Sequence, residues 1–304
     1  MQRTTILTMA LAVLALEHPA RVPAAETETF QAEAGLSYSR FKSGDVRDNT
    51  AGVEASYFFD KLPTRPKDYP LEQVQFVERS GSLGASYSRS STDITGQERL
   101  SDSSLYGVNV DFRRPNSPLI ISAGYHSFNS GKTRNPSASI EAEADTRFYQ
   151  ASVGAYVDKT TALALDWSRS KTDVKFNGSP IATDRFTSFG LSGQHLMRLA
   201  GGDHIAFVAA ASQVTADLEG QLSSEKNRQY LLRMTYYPTR MLGITAGILS
   251  DRGDATFSEG ETYMAGVKMF VTPTVSLSLD YQRFLAKEPN NNDDFVMLKG
   301  LVRF

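Results

Sequence analysis

Apolar residues recur at every second position along most of the chain. Between residues 106 and 112, for example, Tyr, Val, Val and Phe alternate with Gly, Asn and Asp. Because a period of two is that of a β-strand with one apolar face, the pattern predicts an all-β protein. Fourteen such segments have apolar positions at residues 30–38, 53–59, 83–87, 106–112, 119–125, 149–157, 163–167, 189–191, 205–211, 230–236, 242–248, 263–271, 275–281 and 295–304, the eighth being the least regular.

The last segment continues to the final residue. Residues 295–304 read Phe-Val-Met-Leu-Lys-Gly-Leu-Val-Arg-Phe, and the alternation stops only where the chain stops. Since chain ends of soluble domains usually fray, this ending predicts a closing strand. We expect it to pair antiparallel with the first segment, which begins near Phe30.

The connections between segments differ in length at the two ends. Short ones follow even-numbered segments, and long polar ones, such as residues 42–49, 129–145 and 170–185, follow odd-numbered segments. This asymmetry is typical of transmembrane barrels, whose short turns face the periplasm. Residues 60–73 break the rule, because they follow the second segment yet are long and rich in proline. Residues 129–145 form the candidate loop for folding into the lumen.

Three features favour a membrane barrel over a soluble sandwich. Tyr and Phe lie at the ends of the apolar positions, as in the aromatic girdles of membrane barrels. The segments approach the ~9–11 residues that a tilted span requires. The opposite face is polar or small, so it could not form a sandwich core. We therefore predict an antiparallel transmembrane β-barrel, most simply of fourteen strands, with twelve or sixteen as alternatives.

The first 25 residues form a separate unit. Arg3 precedes an apolar run from Ile6 to Leu16, and small residues follow at 22–25. This arrangement is typical of a secretory signal peptide and is too short to span a bilayer. We expect residues 1–25 to be removed and residues 26–304 to form the exported barrel.

Composition narrows the chemistry. The net charge is −2, so no basic field points to nucleic acid. The chain has no cysteine, which excludes disulfides and thiolate sites. We expect no cofactor, no metal, no catalytic residues and no enzymatic activity. A lipid hydrolase would need a serine beside a histidine on the outer wall, with His195 as the candidate histidine.

The pattern as a whole resembles the outer-membrane porin superfamily. Three stretches, Tyr57-Phe-Phe-Asp60, Tyr69-Pro-Leu-Glu72 and Phe76-Val-Glu-Arg-Ser80, resemble the "putative general bacterial porin" family. The resemblance implies insertion into the outer membrane of a Gram-negative bacterium, in contact with its lipid. It also implies that Phe304 is the signal read by the barrel-assembly machinery.

The inward face predicts a wet lumen. A fourteen-strand barrel has a backbone diameter of roughly 25–30 Å, which Ser, Gly and Ala cannot fill. Acids lie mostly early and bases late in the chain, which predicts opposed charged walls, although ordinary salt bridges within the wall are the alternative. The candidate pore-lining residues are Glu33, Glu54, Asp111, Asp166, Arg233, Lys268, Asp280 and Lys299.

The resulting functional hypothesis is a porin for passive diffusion of small polar solutes. The rival is a non-conducting structural or adhesive barrel that acts through its long surface loops. A plugged lumen would distinguish the two. The sequence leaves open whether the protein is a monomer or a homo-oligomer.

Overall fold

The computed structural model describes residues 29–94, 101–131, 133–135, 140–217, 225–253, 259–287 and 292–304. The predicted signal peptide, residues 1–25, lies outside them. The strands are β1 (Thr29–Ser43), β2 (Val46–Pro63), β3 (Ser82–Ile94), β4 (Ser101–Arg113), β5 (Leu119–Asn129), β6 (Thr133–Asn135), β7 (Ile140–Tyr156), β8 (Thr161–Phe176), β9 (Ser179–Arg198), β10 (His204–Asp217), β11 (Glu225–Thr239), β12 (Leu242–Gly253), β13 (Gly260–Thr272), β14 (Val275–Ala286) and β15 (Asp293–Arg303).

Antiparallel pairing closes these strands into a ring of fourteen, with the short β6 attached to β7. β5 pairs with β7, and β1 pairs with β15 so that Leu36 lies opposite Gly300. The carbonyl of Phe304 accepts hydrogen bonds from the backbone N–H of Gln31 at 2.7 Å and of Ala32 at 3.1 Å. The predicted fold and the predicted pairing of the last strand with the first are both confirmed.

The apolar face of each strand points outward. Leu165 is 62% exposed, Phe189 64% and Leu298 54%, values that would be costly in water across a whole wall. Contact between apolar side chains and the hydrocarbon of a bilayer carries no such free-energy penalty, so the exposed apolar band is the lipid-facing surface.

Two predicted loops are strands instead. Residues 42–49 belong mainly to the β1–β2 hairpin, which turns at Gly44. Residues 170–185 extend β8 and β9 to a two-residue turn at Asn177 and Gly178, both with positive φ, as hairpin turns of this kind require. Polar residues occupy both faces of these extensions. The alternation of apolar and polar residues therefore ends there, although the backbone hydrogen bonds between the strands continue.

The loop predicted to enter the lumen follows the barrel wall where it is described. The backbone N–H of Ser130 donates to the carbonyl of Ala144 at 2.9 Å, and the Asn129 amide donates to Asp145 at 2.5 Å. The start of residues 129–145 is therefore paired with β7.

The inserted segment, residues 64–81 between β2 and β3, enters the lumen instead. It contains a 3₁₀ turn (Leu71–Gln73) and the short helix α1 (Val74–Glu78), which ends at Arg79 in the left-handed conformation. It lies at the end of the barrel that carries the described chain termini, which is the periplasmic end. No helix in the described ranges is long and apolar enough to cross a bilayer.

Candidate functional site in the barrel lumen

The inserted segment forms the hydrophobic core of the molecule together with the inner wall. Val74 is fully buried, beside Phe30, Phe58 and Leu62 of β1 and β2. Phe76 packs in a second cluster with inward residues of six strands: Ile120, Tyr156, Ala162, Leu196, Ala206 and Tyr237. The two buried clusters therefore fill the lumen at its periplasmic end.

Polar side chains of the wall hold the first turn of the segment. The hydroxyl of Tyr237 donates to Glu72 at 3.0 Å and accepts from the Gln73 amide at 2.7 Å. The Gln194 amide donates to Gln73 at 2.9 Å. Lys268 lies 3.6 Å from Glu72. The turn is thus bound to β9, β11 and β13.

Wall side chains also bind the backbone of the segment. Arg240 donates to the carbonyl of Pro66 at 3.0 Å, and the ring Nε2 of His204 lies 2.8 Å from the carbonyl of Asp68. Since a carbonyl only accepts, that imidazole nitrogen carries a proton. The hydroxyl of Tyr156 donates to the carbonyl of Phe76 at 2.8 Å.

Two contacts within and around the segment complete its attachment. Tyr69 donates to Glu78, and burial, followed by this hydrogen bond, raises the pKa of the Tyr69 hydroxyl, so it stays a donor. Arg79 donates to the carbonyl of Asp158 at 2.8 Å and stacks over the Tyr156 ring. The segment is therefore held on opposite sides of the lumen.

The closing strand contributes an arginine that the sequence interpretation did not select. Arg303 is 7% exposed and lies between the rings of Phe30 and Phe270, with its guanidinium 2.7 Å from Glu33. It also donates to the carbonyl of Leu71 at 3.1 Å. Arg303 therefore joins the barrel closure, the predicted site residue Glu33 and the inserted segment.

The predicted site residues on β2 and β15 form an ion pair. Lys299 Nζ lies 2.5 Å from Glu54 Oε1, although β1 runs between their strands. Gly35 of β1 makes this possible, because a Cβ there would lie 3.1 Å from Glu54. Opposed charged walls were expected, but these two residues lie on one wall. That expectation is wrong for this pair, because barrel closure makes β1, β2 and β15 neighbours.

A cavity of about 190 Å³ opens beside this pair. Its charged lining consists of Glu72, Lys268, Asp280 and Lys299, so bases and acids again share one side. A second cavity of about 170 Å³ is lined by Arg233, Gln73, Gln194 and Tyr237, and also by Glu72 and Asp280. Four of the predicted residues thus surround the inserted Glu72.

The two remaining predicted acids lie elsewhere on the wall. Asp111 is 2.6 Å from Arg113, whose guanidinium also reaches the Tyr156 hydroxyl at 3.3 Å. Asp166 is paired in register with Ser152 and Gly190, and it forms no ion pair with any residue in the described ranges. The structure does not bring these two acids to the cavities.

Sequence reasoning missed the inserted segment. Its signal was present, because residues 60–73 were too long and proline-rich for a periplasmic turn, and Leu71, Val74 and Phe76 follow as an apolar run. A helix of five residues is too short for its period to be distinguished from an irregular turn.

The candidate hydrolase site lacks the required arrangement. His195 Nδ1 lies 2.8 Å from the Thr161 hydroxyl, and that hydroxyl donates to Asp158 at 2.8 Å. The backbone N–H of Thr160 is the largest cause of a lowered pKa at Asp158, so this acid is an ionised acceptor. The acid therefore contacts the hydroxyl and not the imidazole, the reverse of an acid-oriented histidine. Among the described residues, no cluster of acids and histidines could hold a metal.

Comparisons with known proteins agree with this architecture. A family model described as "Putative general bacterial porin" matches residues 4–300. No curated protein sequence is significantly similar to the chain. The crystal structure of outer membrane protein Omp33 of Acinetobacter baumannii is similar with a TM-score of 0.57 and 16% identity, covering 92% of this chain and 100% of that one.

Two further structures are more distant. CdiB from Acinetobacter baumannii has a TM-score of 0.49 at 10% identity, covering 90% of this chain and 60% of that one. The toluene transporter TodX of Pseudomonas putida has a TM-score of 0.46 at 9% identity, covering 92% of this chain and 89% of that one. The family match spans nearly the whole chain. The chain therefore belongs to the "Putative general bacterial porin" family and is a β-barrel channel of the bacterial outer membrane.

Proposed function

We propose that the protein lets small polar solutes diffuse passively across the outer membrane through a water-filled lumen. The observation that carries the proposal is the pair of charged cavities beside Glu72, within a wall whose other inward residues are mostly Ser, Gly and Ala. Such a wall offers hydrogen bonds to water and to polar solutes, and little apolar surface.

The charges on the wall support passage of polar solutes without a preference for cations or anions. Lys268 and Lys299 face the same cavity as Asp280 and Glu72, so the local field contains both signs within a few side-chain lengths. A neutral polar solute or a zwitterion can exchange hydration for contacts with both.

The inserted segment limits the size of what passes. Phe76 and Val74 fill the lumen at the periplasmic end, where the wall residues Tyr156 and Tyr237 are also buried. A solute must pass beside this core, or the segment must shift. We therefore place the size limit of the channel at the inserted segment.

The same segment is the observation that favours the rival function. If it blocks the lumen completely and never shifts, the barrel does not conduct, and its long surface hairpins carry out the function instead. The two functions differ in flux, which can be measured directly.

Export and assembly complete the proposal. Residues 1–25 would direct the chain across the inner membrane, and the C-terminal strand would be read by the assembly machinery at Phe304. The Phe304 side chain is 55% exposed on the outer face, where another protein can reach it.

Liposome swelling with uncharged sugars of increasing size tests the proposal. Refolded protein in phospholipid vesicles should admit small sugars quickly and exclude larger ones, whereas protein-free vesicles of the same lipid should admit neither. Vesicles containing the protein that swell no faster than protein-free ones would contradict passive diffusion and support the rival. Admission of all sizes alike would contradict the size limit.

A further inference from the structure

The outer wall of β7, β8 and β9 carries a cluster of bases beyond its aromatic girdle. Tyr149, Trp167 and Phe189 lie at the outward positions that end the apolar face, on the side away from the termini. The basic cluster consists of the next outward bases, Arg147, Arg169, Lys171 and Arg185. The three arginines are exposed and Lys171 is half-buried.

The strand register sets these bases side by side. Arg147 lies directly opposite Lys171, and Lys171 lies directly opposite Arg185. Side chains in such positions start about 4.5–5.5 Å apart at Cβ, and like charges there are destabilising. Three adjacent strands thus place a cation at one level, an arrangement that a bound anion would relieve.

Asp173 relieves part of this charge, since it attracts Arg147 as well as Lys171. The Lys171 Nζ lies 2.8 Å from Oδ1 of Asp173, which is the next residue on the same face of β8, further from the aromatic girdle. Asp217 of β10 is opposite Arg185 in register, but the two are not within the 4.0 Å of an ion pair. Among the described residues, Arg147, Arg169 and Arg185 have no carboxylate at ion-pair distance.

Three arginines in similar positions elsewhere on the outer wall do have one. Arg89 lies 3.2 Å from Asp102, Arg252 3.6 Å from Glu261, and Arg283 4.0 Å from Asp294. These pairs occur on β3–β4, β12–β13 and β14–β15, on other parts of the ring. Among the described residues, Arg40, Arg47 and Arg228 also face outward without an ion pair. The β7–β9 wall is therefore distinguished by the register that gathers four bases on three adjacent strands.

The cluster lies where lipid headgroups meet the barrel. Outward apolar residues directly beneath it, including Leu165 and Phe189, are more than half exposed and face hydrocarbon. The outer leaflet of this membrane consists largely of a glycolipid with phosphate groups on its sugar headgroup. Guanidinium groups bind phosphate through paired, charge-assisted hydrogen bonds, which suits Arg147, Arg169 and Arg185.

We propose that the basic cluster binds the headgroup phosphates of one outer-leaflet glycolipid molecule, whose acyl chains lie on the wall beneath, against Trp167 and Leu165. A free phosphate ion would use the arginines but not the apolar wall. Because the basic cluster lies directly beside the apolar band of the wall, the ligand that fits both has phosphate groups and acyl chains. This inference is independent of whether the lumen conducts.

The single tryptophan of the chain provides a local probe, because Trp167 lies on this wall. Protein is reconstituted in phosphatidylethanolamine vesicles with brominated acyl chains, which quench tryptophan. Purified bisphosphorylated lipid A is then added at rising mole fraction, and its unbrominated chains restore fluorescence where they replace brominated lipid. The triple variant R147Q/R169Q/R185Q is compared with R89Q/R252Q/R283Q, which removes three bases at similar positions elsewhere, and strand circular dichroism checks that both are folded.

The wild-type protein and the R89Q/R252Q/R283Q control should recover fluorescence at a low mole fraction of lipid A. The cluster variant should need at least about tenfold more, since each base near a membrane surface contributes about a factor of five to anionic lipid binding. With lipid A that lacks its phosphates, the wild-type protein should recover fluorescence only at the high mole fraction that the cluster variant needs with phosphorylated lipid A. Inorganic phosphate should compete only at concentrations far above those of the lipid.

Three results would overturn the proposal. The first is equal recovery in the cluster variant and the wild type. The second is equal recovery with phosphorylated and dephosphorylated lipid A. The third is recovery that depends on protein density and not on lipid A, which would assign the surface to a second copy of the chain.

Discussion

The lumen of this barrel has two differently built halves. At the periplasmic end, Phe76 of the inserted segment packs against Tyr156 and Tyr237 in a buried apolar cluster. Directly beyond this cluster on β5 and β7 the inward residues are small, and Ser122 and Ser152 hydrogen-bond to each other across the two strands. The same period of two therefore builds a closed end or a wet bore, depending on the size of the inward side chains and on what enters between β2 and β3.

Truncation at the centre of the packed half should have the largest effect. Phe76→Ala removes a buried ring and should destabilise docking of the inserted segment by about 3–5 kcal/mol. Hydrogen exchange of the amides of residues 71–78 should accelerate, while the strands remain protected. Phe148→Ala is the matched control, since Phe148 lies in the wider half near His126 and is half-exposed. Equal acceleration in both variants would remove the distinction between the halves.

Loss of a polar anchor should have a smaller effect. Glu72→Gln weakens the contacts with Lys268 and Tyr237, at a cost of about 1–2 kcal/mol for a partly exposed charged contact. The same exchange experiment should show modest acceleration in residues 71–78. Glu259→Gln breaks an ion pair with Lys287 in a connection outside the lumen and should leave these amides unchanged. No change in Glu72→Gln would mean that apolar packing holds the segment without it.

Neutralising lumen bases should change ion selectivity, and it should affect docking of the inserted segment only through the lost Lys268–Glu72 contact. In Arg233→Gln/Lys268→Gln, the acids Glu72 and Asp280 lose two neighbouring cations, so reversal potentials in planar bilayers should shift towards cation preference. The control Arg228→Gln/Arg252→Gln removes two bases from the outer wall. Unchanged selectivity in the lumen variant would show that these charges only stabilise the wall.

The smallest effect on the lumen is expected at Phe304. Because the Phe304 backbone closes the barrel with Gln31 and Ala32, deletion would remove hydrogen bonds as well as the side chain. Phe304→Ala keeps them and should lower the amount of assembled barrel in cells. Conductance of each assembled molecule should match the wild type, and a changed unit conductance would show that the residue affects the lumen itself.

The sequence was sufficient for the barrel because one observable, the alternation, determines which face of each strand meets lipid. The antiparallel pairing of β1 with β15 follows once the number of strands is even and the last one closes on the first. The Glu54–Lys299 pair could not be predicted in this way, since it depends on the stagger between strands and on the absence of a side chain at Gly35. The inserted segment was missed because its attachment uses isolated residues of distant strands, such as Gln194 and Arg303, which carry no local pattern.

Single-channel conductance of a segment-replacement variant tests directly whether the inserted segment limits flow through the barrel. In this variant, residues 61–79 are replaced by Asn-Gly, which joins Asp60 to Ser80 in a tight hairpin where the two already approach each other. We expect a unit conductance several-fold above that of the wild type in the same bilayer, because the core at the periplasmic end is removed while the strands remain, apart from the last three residues of β2. A folded variant whose conductance equals that of the wild type, or that stays at the bilayer background, would contradict it.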